Sequence, residues 1–451
     1  MMRFALALLL LWPGIASAWS SHYLMTDRAL QHPSEKDLAG QTVRVETLES
    51  FLKAEGPGIE QLVSDYYDWL DGHGVPGRHT RQSYDPSAPT REAFLHALRL
   101  NPKTTTPYVL RVLPADAKPE QTLPLDAVSR YLKPTPPLDQ WFVPAPPGTE
   151  LTVPQVFRTF SDEPDWGMDL DLWTHTEYGY GTEPYGEPSG TSSQAAFHMK
   201  FAHEPWLVQH FVPELADGMP IERMELFVRL SHFAFQTGHP YWGWRFLAWA
   251  THYAQDLAQP YHSRALPGEG TLYYLHYIVS LHKDAMKKDA TQLAKNRHFI
   301  YEDFVAYGLQ QSYLVQDEMY ADLASYLYNG DALLQGGHSD ATAIADTVMA
   351  SAAVHAPVID ATIVKAFGPH LTDDPTYDVE TAPDYDITKV VKAVPPGEAH
   401  DLLSETGKDF QDAGEATRSM IALVAKDAAA AKDEAPEVVP EGEDASEGDG
   451  D

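Results

Sequence analysis

Residues 213–257 read PELADGMPIERMELFVRLSHFAFQTGHPYWGWRFLAWATHYAQDL. Apolar residues recur through this stretch at helical spacing, and Pro260 ends its last run. Alternating patterns typical of strands are scarce in the chain, and it has no Gly-rich phosphate loop or nucleophile elbow. The same helical spacing recurs at 21–30, 275–327, 338–367 and about 401–430. We therefore predict a mainly α fold, a single large multi-helix domain.

The composition indicates an exported protein. The first eighteen residues, MMRFALALLLLWPGIASA, predict a cleavable signal peptide at 1–18 and a secreted or periplasmic location. The main domain is then expected at 19–430, followed by a disordered acidic tail at 431–451. The 451 residues include no cysteine, so stability must come from the core or from bound metal. A net charge of −33 disfavours binding to nucleic acid.

The segment 31–150 is less regular than the rest. Its helical stretch LESFLKAEGPGIEQLVSDYYDWL is interrupted by Gly and Pro, and a Pro-rich stretch follows it. We interpret the segment as an insertion that elaborates upon the core and is not itself a catalytic module.

The stretch HYAQDLAQPYH at 252–262 contains potential metal ligands. His252 and Asp256 are four residues apart, so they share one face of a helix and can bind the same ion. Pro260 then turns the chain so that His262 can enter the same cleft. A second such pair, His298 and Glu302, lies in NRHFIYEDFV. Two pairs on long helices, with a histidine in SQAAFHMKF and acids in SDEPDWGMD, predict a site for several zinc ions.

Trp19 would become the first residue of the mature chain if the signal peptide is cut after Ala18. A free α-amine and the carbonyl oxygen of the same residue form a chelating pair, and His22 offers a third ligand nearby. The alternative is that Trp19 only packs its indole ring against the first helices.

These pieces resemble the zinc-dependent phospholipase C and P1/S1 nuclease family. WSSHYLMTDRAL, EPDW, FHMKF, HYAQDLAQPYHS and HFIYEDFV occur in family order. The resemblance implies three zinc ions per chain. It assigns Asp165, His198, His252 and Asp256 to the first, His262, His298 and Glu302 to the second, and Trp19, His22 and a bridging Asp256 to the third.

Two spacings depart from the family pattern. The gap between Asp165 and His198 is longer than usual, with TEYGYGTEPYGEPSGTSS as the apparent insertion, so Asp162, Asp169 or His175 could replace one of them. The gap before His298 is also long, and it makes His276 a rival ligand. We favour His298 because Glu302 follows it, whereas a serine follows His276 at the same spacing.

The resemblance implies hydrolysis of a phosphoester by a water that zinc activates, with Asp165 as general base or as a structural ligand only. A phospholipid head group is the favoured substrate, which implies peripheral contact with a membrane. Trp166 could face a choline-like cation or lie in the core. Met199, beside His198, is not a base-stacking aromatic, so nucleic acid is the less favoured substrate. The competing functions are a P1/S1-like single-strand nuclease and a non-catalytic zinc-binding helical protein.

Overall fold

The computed structural model describes residue 19 and residues 21–74, 79–132, 140–172, 194–211, 213–314, 318–330 and 340–433. Helices account for 67% of the structure and strands for 4%, which confirms the mainly α class. The predicted acidic tail beyond residue 433 and the predicted signal peptide lie outside the described residues.

The helices are α1 (His22–Ala29), α2 (Leu48–His73), α3 (Arg91–Ala97), α4 (Leu125–Val128), α5 (Val153–Phe160), α6 (Ala195–His198), α7 (Trp206–Phe211), α8 (Pro220–Gln236), α9 (Pro240–Asp256), α10 (Pro260–Ser263), α11 (Thr271–Val279), α12 (Lys283–Leu314), α13 (Glu318–Asn329), α14 (Ala341–Phe367), α15 (Pro369–Thr372), α16 (Ile387–Ala393) and α17 (Pro396–Asp433). Four short strands, β1 (Thr42–Arg44), β2 (Val109–Val112), β3 (Trp141–Pro144) and β4 (Glu150–Thr152), form two antiparallel pairs, β1 with β4 and β2 with β3.

α9 is the central helix of the fold. It begins at Pro240, where the missing N–H of proline costs no helical hydrogen bond. Every residue from Tyr241 to Asp256 is buried. A helix that is buried on all sides must lie inside the core, and α5, α8 and α17 pack around α9. The ligand pair predicted at the end of this helix therefore lies deep in the molecule.

α17 packs against α8, α9, α13 and α14 and closes one side of the core. Between α14 and α17, His355 lies between two carboxylates: its Nδ1 is 2.7 Å from Asp409 and its Nε2 is 2.9 Å from Glu405. Burial opposes a charge on His355, but hydrogen bonds to these carboxylates raise its pKa to about 9. The imidazole therefore carries a positive charge at neutral pH.

α14 is long and apolar enough to cross a membrane by length and composition. In this fold 44% of its most apolar stretch is buried, because α14 packs against α17, α10 and α8. Packing against these helices accounts for part of its apolar composition.

The predicted interruption in the segment 31–150 is wrong, because α2 continues through Pro57 for 26 residues. Proline inside a helix costs about 3 kcal/mol. Phe51, Leu52 and other apolar residues of α2 are buried in the common core, which offsets this cost. A Cβ atom at Gly58 would lie 2.5 Å from the ring of Phe233, so glycine allows α2 to approach α8 closely.

The segment 31–150 also supports the start of α5. Strand β1 pairs with β4, and Val43 lies opposite Leu151. Thr152 and Gln155 then form a capping box that begins α5. From the β2–β3 pair, Arg111 reaches the carboxylate of a residue just after α5, Asp162. The segment is thus continuous with the core that holds the predicted ligands.

Candidate metal centre

The structure brings the eight side chains predicted as ligands together at one place in the core. We call this cluster the candidate metal centre. Seven of its members are at most 2% exposed, whereas the side chain of Asp165 is 13% exposed. The members are His22 of α1, Asp165 of the 3-10 turn Glu163–Trp166, His198 of α6, His252 and Asp256 of α9, His262 of α10, and His298 and Glu302 of α12.

The turn from α9 to α10 explains how one short stretch supplies three of these residues. α9 ends at Asp256, and α10 begins four residues later at Pro260. The side chain of Gln259 caps α10 by accepting a hydrogen bond from the backbone N–H of Tyr261. His262 returns to the cluster with its Nδ1 3.9 Å from Asp256 Oδ1, which confirms the predicted turn.

The ligand atoms form three groups, each of which could hold a metal ion. The groups are His22, His252 and Asp256; Asp165, His198 and His252; and His262, His298 and Glu302. The first two groups share His252. Asp256 also reaches the second group, because its Oδ2 is 2.7 Å from His198 Nδ1 while its Oδ1 faces His22. The carboxylate of Asp256 is therefore positioned to bridge two ions.

The distances within the groups match those between ligands of one zinc ion. Two donors bound at about 2.0–2.1 Å in tetrahedral geometry lie about 3.3–3.4 Å apart. His262 Nε2 is 3.2 Å from His298 Nε2 and 3.4 Å from Glu302 Oε1. The third pair of this group, His298 Nε2 and Glu302 Oε1, is closer than this, at 2.6 Å. His252 Nε2 and His198 Nδ1 are 3.1 Å apart.

One pair of buried atoms points directly to a cation. His22 Nε2 and Asp256 Oδ1 lie 3.2 Å apart, and neither makes a hydrogen bond. Both side chains are fully buried. Because an unsatisfied buried polar atom costs about 1–3 kcal/mol, these two atoms fit a site completed by a metal ion.

The outer nitrogens of His252 and His262 are each held by a backbone carbonyl, which turns the other nitrogen toward the cluster. His252 Nδ1 lies 2.8 Å from the carbonyl oxygen of Ser161, and His262 Nδ1 lies 3.1 Å from that of His198. An imidazole that donates its outer N–H to a carbonyl keeps a lone pair on the inner nitrogen. Such fixed tautomers are typical of metal-binding histidines.

Gln255 orients His22 in the same way, and sequence reasoning missed this role. The Nε2 of Gln255 donates to Thr26 Oγ1 at 2.9 Å and to Thr417 Oγ1 at 2.8 Å. The hydroxyl of Thr417 already donates to the carbonyl of Ala413, so it can only accept from the amide. The amide oxygen of Gln255 therefore faces His22 Nδ1, 2.8 Å away. His22 therefore donates its Nδ1 proton to Gln255, and Nε2 is the nitrogen that faces the cluster.

Burial keeps several of the histidines neutral. It lowers the pKa of His298 to about 3, and it lowers the pKa of His262. The pKa of His252 lies well below its ordinary value because of burial and the neighbouring His22. Neutral imidazoles are the form that binds metal ions.

The carboxylates differ from one another. Burial alone would raise the pKa of Asp256, but His252 and His22 outweigh it and hold this pKa well below its ordinary value. Burial raises the pKa of Glu302 to about 7 and raises that of Asp165 as well. Asp256 is therefore an anion without any metal, whereas positive charge nearby would be needed to ionise the other two fully at neutral pH.

The rival acids Asp162 and Asp169 have other partners. Asp162 accepts a hydrogen bond from the backbone N–H of Tyr23 at 2.9 Å and pairs with Arg111. Asp169 pairs with Arg223 and accepts from the hydroxyl of Tyr253 at 2.6 Å. Neither acid belongs to the three ligand groups, and Asp165 does.

Asp169 instead lies behind His198, one of the predicted ligands. Its Oδ2 is 3.3 Å from His198 Nε2, on the side of the ring opposite Asp256. Burial opposes charge on His198, but these two carboxylates raise its pKa to about 10. Binding of a metal at Nδ1 would displace the proton there and leave Asp169 holding the outer N–H, as in carboxylate–histidine–zinc arrangements.

The rival histidine His276 lies away from the centre. It is exposed on α11 and belongs to none of the ligand groups found in the described part of the chain, whereas His298 does. His175 and the insertion around it lie outside the described residues. Trp166 is buried against Phe142, with ring centroids 5.2 Å apart, so it lies in the core and does not face a choline-like cation.

Trp19 lies beside the centre. Its indole N–H donates to the carbonyl oxygen of Gln255 at 3.1 Å, and its ring packs against Tyr301 and Phe410. Its own carbonyl oxygen accepts from the N–H of Ser21. The indole therefore anchors the backbone of Trp19 next to the residue that orients His22.

This arrangement of buried nitrogen and oxygen donors can bind adjacent metal ions, and Asp165 is its most accessible ligand. Comparison of the chain with protein-family models, curated proteins and solved structures found no match. The donor set itself is therefore the guide to the chemistry of the site.

Proposed function

We propose that this protein is a zinc-dependent hydrolase of phosphoester bonds, similar in type to the zinc-dependent phospholipase C and P1/S1 nuclease family. The observation that carries the proposal is that two of the three ligand groups share His252 and are joined by Asp256, and that the third group lies next to them. Several adjacent ions can neutralise a phosphodiester and its leaving oxygen together. A single structural zinc would need only one closed set of four ligands.

The donor set favours zinc. Each group combines imidazole nitrogen with carboxylate oxygen, whereas magnesium and calcium prefer oxygen alone. When bound, the ions would supply Lewis-acid polarisation of the phosphoryl group and of a water molecule. The chain itself would hold the ions through the eight residues of the candidate metal centre and keep water away from all but one side.

Asp165 is our candidate for the proton acceptor. It is the most exposed residue of the centre, so a substrate or a water molecule reaches its carboxylate first. Gln194 donates a hydrogen bond to its Oδ1 at 2.9 Å, which fixes the orientation of the carboxylate. A general base must lie within hydrogen-bond reach of the proton that it removes, and Asp165 would serve a water held at the centre.

The N-terminus completes the proposal. We infer that cleavage between Ala18 and Trp19 releases an α-amine beside His22, where it and the Trp19 carbonyl would serve as further ligands. Supporting this, the anchored indole of Trp19 holds its backbone against Gln255. The mature protein would then act outside the cytoplasm with three zinc ions.

Among phosphoesters we favour phospholipids. The net charge of −33 repels nucleic acid at long range. The burial of Trp166 removes one candidate contact to a choline head group, so the preference does not depend on it.

The test combines metal content with turnover. Protein purified without chelator should contain close to three zinc ions and hydrolyse bis-p-nitrophenyl phosphate. Parallel assays on phosphatidylcholine and single-stranded DNA would separate a phospholipase from a nuclease. Three bound zinc ions without turnover of any diester would indicate a non-catalytic zinc protein, and one zinc or none at saturating metal would refute the proposed centre.

A further inference from the structure

The chain between His262 and His298, two ligands of the same group, leaves the core and forms an unusual surface. α11 lies in this interval, and α12 begins shortly after it. Leu272, Leu275 and Val279 have the spacing of one helix face and are exposed, Leu272 by 81% and Val279 by 76%. Leu281, in the link to α12, is 96% exposed.

The opposite face of α11 is anchored. Tyr274 and Tyr277 are buried, and the hydroxyl of Tyr273 donates to the carbonyl of Met286 at 3.0 Å. The exposed leucines are therefore held outward by a fixed helix rather than by a loose loop. Large exposed apolar patches on a protein mark sites of contact with other proteins or with membranes.

An exposed tryptophan lies on a segment connected to this region. Trp206 begins α7 and is 77% exposed. Two residues earlier, Glu204 accepts a hydrogen bond from the backbone N–H of Ala265, which lies between the ligand His262 and α11. Tryptophan is enriched where proteins meet the head-group layer of a membrane.

The region around α11 is less acidic than the chain as a whole. The full sequence has 65 acidic and 32 basic residues, whereas residues 262–300 contain six basic and three acidic ones. Arg264, Lys295 and Arg297 pair with carboxylates outside this interval. The other three bases, Lys283, Lys287 and Lys288, lie on the first turns of α12 together with two of the acids, Asp284 and Asp289.

We propose that the outer face of α11, with Leu281, Trp206 and the lysines that begin α12, docks on the surface of a phospholipid bilayer. This inference rests on the proposed function and specifies how the substrate is met. Leucines and a tryptophan would enter the boundary of the acyl chains, and the lysines would contact lipid phosphates. His262 belongs to α10, and a short link joins α10 to α11. Docking of α11 would therefore bring the centre close to the head groups.

A bilayer fits better than the other occupants. A second copy of this chain would bring another strongly acidic protein against the patch, whereas a phosphatidylcholine surface carries no net charge. Single-stranded nucleic acid binds aromatic faces flanked by many basic residues, and exposed aliphatic side chains dominate here.

The test compares two double variants of the full mature protein. Leu272→Ser with Leu281→Ser alters the patch, and Val354→Ser with Val358→Ser alters exposed valines of α14 as a matched control. Flotation with vesicles of phosphatidylcholine, with and without phosphatidylserine, measures binding. Hydrolysis is measured on vesicles and on a soluble diester, bis-p-nitrophenyl phosphate.

We expect the patch variant to bind vesicles about tenfold more weakly, because it lacks two leucines that would be buried in the lipid. Its turnover of vesicles should fall in parallel while turnover of the soluble diester is unchanged, and the control should match the parent protein.

Three results would overturn the docking surface: no binding of the parent protein to vesicles, equal binding by the patch variant, or equal loss in the control. Light scattering distinguishes a protein interface, because a second copy at the patch would make the parent dimeric and the variant monomeric. Vesicle binding through the patch without hydrolysis of any diester would refute the proposed function instead. Hydrolysis of the soluble diester without vesicle binding would refute the surface alone.

Discussion

Replacing Gln255 by leucine should weaken one metal group and leave the other groups nearly intact. Gln255→Leu keeps the volume of the side chain but removes the acceptor for His22 Nδ1 and the donor for Thr26 and Thr417. His22 then loses the contact that fixes its tautomer. Loss of such an outer contact typically lowers metal affinity by about 10–100-fold, which corresponds to about 1.4–2.7 kcal/mol for the ion bound through His22.

The same change should lower stability. Three buried hydrogen bonds disappear, and each contributes about 0.5–1.5 kcal/mol, so the free energy of unfolding should fall by about 2–4 kcal/mol. Gln255→Glu separates the two effects. A carboxylate still accepts from His22 Nδ1, but it cannot donate to Thr26 or Thr417. This variant should be destabilised too, yet should bind metal at the His22 group about as tightly as the parent.

The assay is a titration with buffered free zinc, followed by elemental analysis of the bound metal. Gln255→Leu should show one ion that dissociates at higher free zinc than the rest. Gln259→Leu is the matched variant for the other end of the motif, because Gln259 Nε2 lies 3.3 Å from Glu302 Oε1, and it should weaken the ion bound by the His262 group. Identical zinc curves for Gln255→Leu and the parent would refute the positioning role of this glutamine.

Other expectations test the remaining features. A mature protein with an additional Met-Gly before Trp19 should fold, yet bind one zinc weakly and hydrolyse diesters slowly; full zinc content and activity would show that the N-terminus is not a ligand. Asp256→Asn should abolish hydrolysis and release more than one zinc, because both carboxylate oxygens face ligands, and retention of all metal would contradict its bridging position. His276→Ala should leave metal content and soluble turnover intact whereas His298→Ala should not, so equal damage would reverse the choice between them. The pKa of His355 is raised to about 9, so its charge stabilises the fold fully below about pH 6.5. This contribution, about 1–2 kcal/mol after allowance for partial exposure, is lost as the pH rises through 9. The free energy of unfolding of His355→Gln, measured by denaturation at pH 7 and pH 10, should lack this difference.

Sequence periodicity could predict the helices that carry the centre. Apolar spacing together with Pro260 correctly placed α9 and its sharp turn, because these features depend on local geometry. Two histidine and acid pairs at four-residue spacing likewise had to share a helix face. The path of α2 through Pro57 could not be predicted, since it depends on burial against distant parts of the core.

The choice among neighbouring acids also needed the structure. Asp165 and Asp169 both approach the ring of His198, but from opposite sides: the first shares a ligand group with it, and the second lies beside its outer nitrogen. Gly167, between them, has a φ of 109°, a left-handed conformation that turns the chain. Spacing alone cannot show which acid faces inward when such a turn intervenes. Gln255 was missed for a similar reason, since its partners lie on α1 and α17.

The ligands of the centre come from six separate segments between residues 22 and 302, so no short stretch of the chain can hold the full set of ions. If the chain is exported as its first residues predict, and crosses the membrane unfolded, it does so without bound metal. The compartment in which the chain folds then decides which ions are available to it, and affinity alone does not select zinc, because nitrogen and oxygen donors bind copper more tightly. Folding the same polypeptide in the presence of copper or nickel would trap those ions behind the closed core. The choice of metal is then governed by the place of folding as much as by the ligands.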